Sequence, residues 1–323
     1  MSPVTLRALS QLALAAGLTA AFTVAGNAYA AAQAASAPPR YVAKDLGWSL
    51  KLPAEETVVY QGIANFDNAG MGTGSMLYPA PNIAGFIAAL ITHGVIVERT
   101  RNAQKTRMQE AADRVLLPYK SVLTDYKYRD LMRQALEKTT TSGDKRLAEP
   151  SEKPGSDLRI ESLPVFSMTQ DQTAIVLDNA IVIYAPSTPS TPAYRNIVRV
   201  VSRAETAPDI VKHWTDNEGA ALKIESARLL AESLDLALGD IAAGFEQARL
   251  QRTVRYNEGH TEKMERGEVI REHCGRVVLK NLRGWLMSVA AKPAPDSTSA
   301  VCGEKVQKQL LPPETNVPPE PAG

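Results

Sequence analysis

Four apolar runs between residues 158 and 202 constrain the fold more than any other feature of this chain. They read LRIESLPVFSM, TAIVLD, AIVIYA and RNIVRVVS, and short polar breaks separate them at Gln170-Asp171, at Asp178-Asn179 and at residues 187–192. Runs of this length that are rich in Val and Ile are typical of strands. Such short connections join antiparallel neighbours, because a parallel pair needs a crossover of a dozen or more residues. The segment therefore predicts an antiparallel β-meander.

Helical patterns lie on the amino-terminal side of this meander. Residues 82–116 and 118–138 show apolar positions at helical spacing, with Asn82 as an N-cap and Pro118 at the interruption. We expect these two segments to form a helix pair. The intervening polar stretch at residues 139–156 is rich in Gly, Pro and charge, which predicts a linker-like loop.

A third helical tract follows the meander. It opens at Pro208, restarts near Asn217 and runs to about Arg249. Its apolar positions fall mostly on one stripe, which indicates a helix with one face against a core; they are Leu222, Leu229, Leu230, Leu234, Leu238 and Ile241. The predicted fold class is α+β, with an antiparallel β-meander packed on long helices.

The chain beyond residue 250 has a different texture. Turn signals recur at residues 257–259, 266–267, 274–275 and 281–284, and the pieces between them are of strand length. This pattern predicts a small β-meander over residues 251–291, and an SH3-like barrel fits it as well. The predicted layout is thus an α+β domain at 41–250 and this small β region. Whether the two β regions share one sheet is left open.

The amino-terminal end of the chain predicts export. Arg7 is followed by an apolar run and then by Ala28-Tyr29-Ala30, the pattern of a cleavable signal peptide over residues 1–30. A flexible leader at 31–40 and a Pro-rich tail at 292–323 complete the layout. The cleavage region has no cysteine, so we expect no lipoprotein anchor. We expect a periplasmic or envelope-associated protein.

The charge balance of the chain limits the class of partner. The chain has 36 basic and 35 acidic residues, and this balance gives no general attraction to nucleic acid.

Cys274 and Cys302 are the two cysteines of the chain. In an oxidising compartment they predict one disulfide, which would add roughly 3–4 kcal/mol of stability in the loop-entropy model. Two free buried thiols are the alternative.

An apolar segment at residues 83–97 invites a membrane interpretation. As a helix it is about 22 Å long, short of the roughly 30 Å of a bilayer core. We therefore favour a buried core helix, with a membrane-surface element as the alternative because basic residues follow it. The candidate membrane or partner contacts are Phe86, Arg99, Arg101, Lys105, Arg107 and Trp285.

The densest polar cluster is NEGHTEKMERGEVIREHC, residues 257–274. If two strands of a hairpin carried them, His260, Glu262, Glu272 and His273 would supply nitrogen and oxygen ligands for zinc. The alternative is ordinary cross-strand charge pairing, because Lys and Arg alternate with the acids. The glycine-rich loop at 70–75 lacks the Lys-Ser/Thr of a phosphate-binding loop, and we expect no cofactor.

The sequence supports three hypotheses about function. The first is a non-catalytic binding or scaffolding role with another envelope protein or envelope component. The second is a metal-dependent or other hydrolase that uses the cluster at residues 258–273. The third is a peripheral membrane protein that uses residues 83–107. Enzymatic activity is the less favoured reading, and the sequence does not fix the oligomeric state.

Overall fold

The computed structural model describes residues 47–64, 99–243, 251–273 and 275–290, with only the backbone for residues 99–105 and 243. In this part of the chain the strands are β1 (Trp48–Lys51), β2 (Val59–Gly62), β3 (Lys145–Ala148), β4 (Leu158–Met168), β5 (Ile175–Tyr184), β6 (Pro192–Val201), β7 (Gln251–Glu258), β8 (Thr261–His273), β9 (Arg276–Asn281) and β10 (Leu286–Ala290). The helices are α1 (Arg99–Asp113), α2 (Lys120–Thr124), α3 (Tyr128–Lys138) and α4 (Ile210–Ala243), and a 3₁₀ helix at Arg114–Tyr119 lies between α1 and α2.

The predicted meander is confirmed as the centre of one large, mostly antiparallel sheet. Its order is β3-β1-β4-β5-β6-β10-β9-β8-β7, and β2 also pairs with β4. Strands β4, β5 and β6 are antiparallel neighbours, with Ile160 opposite Ile183 and Asn179 opposite Val198. The alternating apolar side chains of these strands form the main core together with the helices. The fold is thus a mixture of helix and strand, as expected.

The predicted break at Asp178-Asn179 was wrong, because β5 runs straight through it. Asn179 is fully buried. Ser162 on β4 donates a hydrogen bond to its Oδ1, and its Nδ2 donates to Ser233 Oγ on α4, both at 2.8 Å. A polar residue can occupy the middle of a buried strand when its hydrogen-bonding groups have partners.

The prediction of several long helices was also wrong, because α4 is the one long helix in the described part of the chain. The segment predicted as one helix at 118–138 is divided into the end of the 3₁₀ helix, α2 and α3. Pro118 lies inside the 3₁₀ helix. Proline has no backbone N–H to donate, so it interrupts an α-helix at this position. The stripe on α4 is confirmed, since Leu222, Leu229 and Leu234 are fully buried.

The linker-like loop predicted at 139–156 contains β3, which pairs in parallel with β1. Asp235 on α4 holds the start of this segment: its carboxylate accepts hydrogen bonds from the backbone N–H and the hydroxyl of both Thr140 and Thr141. These distances are 2.7–2.9 Å. The polar composition that predicted a loop is therefore used in contacts to the helix.

The two β regions share one sheet, because β10 pairs in parallel with β6, with Leu286 opposite Val198. The carboxy-terminal strands thus extend the main sheet rather than form a separate SH3-like barrel. The predicted turn at 266–267 is not formed, and Gly267 lies within the long strand β8. A Cβ there would lie 2.8 Å from Asn281 Cα, so glycine permits close approach of β9.

Arg276 fastens this junction between the two halves of the sheet. Its guanidinium donates hydrogen bonds to Val201 O at the end of β6, to Ser288 O on β10 and to Glu232 Oε1 on α4, at 3.2, 3.1 and 3.0 Å. The side chains of Arg276 and Glu232 are 18% and 22% exposed. One mostly buried ion pair therefore joins two strands and the long helix.

Strand β7, at the edge of the sheet, packs its apolar side chains on the sheet face that is turned away from α4. Val254 and Tyr256 on β7 pack with Val176, Val201 and Met287 in a second apolar cluster. On the same face Arg199 makes a bidentate ion pair with Asp178, with both contacts at 2.7 Å. The sheet is therefore covered on both faces at this end.

Several predictions lie outside the described residues. They concern the signal peptide and leader at 1–40, Phe86 and the apolar segment at 83–97, the cysteines Cys274 and Cys302, and the tail at 292–323. Among the described residues, the search for a helix with enough length and apolar character to cross a membrane finds none.

Candidate functional site

The four candidate metal ligands do not come together. His260 lies in the turn just before β8 and Glu262 near the start of that strand, whereas Glu272 and His273 lie at its end, roughly 30 Å away along the strand. Glu262 lies 3.6 Å from Arg255, and Glu272 forms an ion pair with Arg252. Within the described residues no group of three or more His, Cys, Asp or Glu side chains is placed to hold a metal. Cross-strand charge pairing therefore accounts for these two acids.

Polar contacts converge instead on the turn between β4 and β5, residues 169–173, which reads TQDQT. We call it the hub turn. Gln170 donates hydrogen bonds to the carbonyls of Ile63, just after β2, and Ala112 on α1. Thr173 O accepts one from the Glu205 N–H at 2.8 Å. One short turn thus contacts several separate parts of the chain.

Asp171 connects the hub turn to the turn between β7 and β8. Its carboxylate accepts hydrogen bonds from Thr169 Oγ1 at 2.6 Å, from both the N–H and the hydroxyl of Thr173, and from the His260 N–H at 2.7 Å. Burial alone would raise the pKa of Asp171, but these hydrogen bonds outweigh it and lower the pKa to about 2. His260 Nδ1 also lies 3.1 Å from Asp171 Oδ2.

Gln172 connects the hub turn to the helices. Tyr119 Oη donates a hydrogen bond to Gln172 Oε1 at 2.5 Å, and Trp214 Nε1 donates to the Gln172 carbonyl at 2.7 Å. Trp214 is 1% exposed. The φ of Gln172 is 61°, a left-handed conformation that residues with a Cβ seldom adopt.

A second left-handed segment interrupts α4 shortly after Trp214. Asn217, Glu218 and Gly219 have φ values of 52°, 58° and 78°, and Asp216 before them is extended. The sequence predicted a restart of the helix near Asn217, and the structure confirms it. Together with Gln172, Asn217 and Glu218 are the non-glycine residues with positive φ in the described part of the chain. All of this backbone strain lies on the two segments that Trp214 joins.

Strand β7 ends in a buried carboxylate. Glu258 is 7% exposed, accepts a hydrogen bond from Tyr256 Oη at 3.3 Å and lies 3.9 Å from Arg199 Nη1. Burial raises the pKa of the Tyr256 hydroxyl, and the carboxylate of Glu258 adds to the rise. Asp178 and Glu258 therefore share one guanidinium between the hairpin and the sheet.

The candidate contact residues are dispersed. Trp285 is half-buried against Ala180 and Ile197, and the Arg283 guanidinium lies 5.5 Å from its ring centre. Arg107 is exposed on α1, and the backbone positions of Arg99, Arg101 and Lys105 lie on the same helix. None of these candidates belongs to the hub turn, which the sequence predicted only as a break between strands.

Replacing Asp171 with asparagine is expected to lower the free energy of unfolding at pH 7 by about 2 kcal/mol. The folded-state pKa is below the unfolded value, so this contribution is present above about pH 4 and is lost as the pH falls toward 2. Urea unfolding at pH 7, 4 and 3 should therefore show a difference between wild type and Asp171→Asn that shrinks with acid. The exposed Asp125 gives the control Asp125→Asn, and a constant difference across pH would contradict the assignment.

A signal for the hub turn exists in the sequence, because five consecutive residues at 169–173 carry side chains that form hydrogen bonds. Asx and Ser/Thr side chains commonly bond to nearby backbone in turns. Their distant partners, such as Trp214 and His260, are not visible at that level. The chain matches no protein-family model, and no curated protein or solved structure is significantly similar to it.

Proposed function

We propose that this is an exported envelope protein with a non-catalytic binding or scaffolding role, and that its partner binds at the sheet end built around the hub turn. The partner class is another envelope protein or envelope component. The signal-peptide pattern at residues 1–30 supports export. The concentration of backbone strain supports the location.

The strain is the observation that carries this proposal. Residues in sparsely populated backbone conformations persist only where the surrounding structure holds them, and they cluster at ligand clamps and switch regions. Gln172, Asn217 and Glu218 are such residues, and Trp214 links the segments that contain them. A purely structural turn would be more stable with glycine at these positions.

The surface around the buried Trp214 is polar. Lys212, Asp216, Asn217 and Glu218 are exposed, and the His260 side chain is 76% exposed. Exposed polar groups of this kind suit a partner that is recognised through hydrogen bonds and charge. This composition favours a polar interface with a buried aromatic at its centre.

Photo-cross-linking in intact cells tests the proposal. A photoreactive amino acid at Glu218 should give a discrete adduct with an envelope component. The matched control is Lys153, which is exposed in the connection to β4 and therefore lies at the opposite end of that strand. Adducts of equal yield from both positions, or none from Glu218, would remove the proposed binding end.

A hydrolase is the second candidate, and the proximity of His260 and Asp171 favours it. A carboxylate 3.1 Å from an imidazole nitrogen can orient the ring as a general base. The high exposure of His260 argues for the binding role, because catalytic groups work best where water is excluded. Hydrolysis of p-nitrophenyl esters should be lost in His260→Gln if this candidate is right. Equal rates for the variant and wild type would eliminate it.

The peripheral membrane role of residues 83–107 stays a proposal. In the described structure it is supported only by the exposed Arg107 on α1, which follows the apolar segment. Basic residues beside an apolar segment suit an anionic lipid surface. Co-sedimentation with phosphatidylglycerol vesicles at low salt tests it, and protein that stays in the supernatant would rule it out.

A further inference from the structure

We propose that α4 is a two-state element that regulates the binding end, a role that rests on the proposed function. In the observed state the helix is bent at residues 216–219. In the second state these residues adopt right-handed helical geometry, α4 becomes continuous, and Trp214 leaves Gln172. A partner that offers an apolar pocket to the Trp214 indole would select the second state.

The bend is intrinsically unfavourable. For a residue with a Cβ, the left-handed conformation is disfavoured by roughly tenfold or more relative to the right-handed one. Asn217 and Glu218 adopt it in succession, with ψ values of 50° and 31°. Both flanking segments are helical, so the four residues of the bend are the barrier to one continuous helix.

Tertiary contacts hold the bend in place. Trp214 Nε1 donates to the Gln172 carbonyl at 2.7 Å, and Tyr119 Oη holds the Gln172 side chain at 2.5 Å. Gly219 packs directly on Val122 of α2, where a Cβ would overlap the valine side chain. The bent state therefore depends on contacts outside the bend itself.

The side chains of the bend itself do not oppose the second state. Asp216, Asn217 and Glu218 are exposed, so reversing their backbone breaks no apolar packing of their own side chains. The losses lie before the bend: Trp214 is 1% exposed in the bent state, and Ile210 and Val211 pack against the main core. A ligand shifts such an equilibrium only by its difference in affinity for the two states, and covering the indole provides that difference.

Gly219→Ala tests the switch in the free protein. The added methyl group overlaps Val122 and disfavours the positive φ, whereas alanine is the best residue for a right-handed helix. In protein labelled with ¹³C and ¹⁵N at asparagine and tryptophan, the Asn217 Cα shift should move from left-handed to right-handed helical values. Hydrogen exchange of the Trp214 indole should become at least tenfold faster. The Trp214 signal is assigned by its absence in Trp214→Phe.

Gly239→Ala is the matched control, because it lies in the same helix and its Cβ would meet nothing within 4 Å. It should leave the Asn217 shift and the Trp214 exchange rate unchanged. If Gly219→Ala keeps the left-handed Asn217 shift, or loses its fold instead of straightening α4, the switch is overturned. A cross-linked partner at Glu218 would still leave the proposed binding end intact in that case. Asn217→Gly gives an independent check, since it relieves strain in the bent state and should slow Trp214 exchange; faster exchange would also overturn the proposal.

Discussion

Replacing Arg276 with alanine is expected to lower the free energy of unfolding by about 3 kcal/mol. The change removes hydrogen bonds to Val201 O and Ser288 O and leaves Glu232 with Arg228 as its remaining ion-pair partner. Groups that are buried and lose their partners are costly, because water does not replace the lost bonds. The effect should be large because this residue fastens β6, β10 and α4 together.

Chemical denaturation at neutral pH measures this loss. Arg271→Ala is the matched control, since Arg271 is an exposed arginine on the neighbouring strand β8. It should change the free energy of unfolding by no more than about 0.5 kcal/mol. A loss below about 1 kcal/mol for Arg276→Ala would mean that the two halves of the sheet are held together mainly by apolar packing.

Gly62→Ala is expected to be comparably damaging, with a loss of about 3 kcal/mol. The end of β2 lies directly against α1, where Gly62 N donates to Asp113 Oδ1 at 2.8 Å and Gln109 donates to Gly62 O at 2.9 Å. An added Cβ would overlap the Ala112 carbonyl group and lie 2.9 Å from Asp113 N. The helix would have to move away, and both hydrogen bonds would be lost.

Thermal unfolding of this variant can be compared with that of Gly239→Ala, which should stabilise the protein by roughly 0.5–1 kcal/mol. The same substitution is thus expected to have opposite signs at the two positions. A melting temperature for Gly62→Ala at or above that of the wild type would show that α1 does not pack on β2 as described.

The parts of the fold that depend on local pattern were predictable. The apolar runs at β4 and β6 identified strands, and the stripe on α4 identified the long helix. The break predicted inside β5 failed because Asn179 has distant partners, Ser162 and Ser233. Pattern-based reasoning treats a polar residue in an apolar run as exposed unless such partners are known.

The candidate site was less predictable for the same reason. The hub turn gains its role from Trp214 and His260, which are far from it in sequence. The left-handed conformation of Gln172 could not be foreseen either, because glutamine has no preference for it. The zinc hypothesis relied on a hairpin partner for Glu262 from the far end of the cluster, whereas both ends belong to the single strand β8.

The parallel junction of β6 with β10 has a consequence for how the chain acquires its structure. Val198 on β6 pairs with Leu286, which lies roughly 90 residues later in the chain. This side of β6 therefore stays unpaired until β10 has been made. Until then the newly made polypeptide presents an open strand edge, the kind of surface on which chains aggregate. Aggregation is therefore most expected in the interval between the synthesis of β6 and that of β10. Deletion of β10 would leave this edge of β6 open permanently.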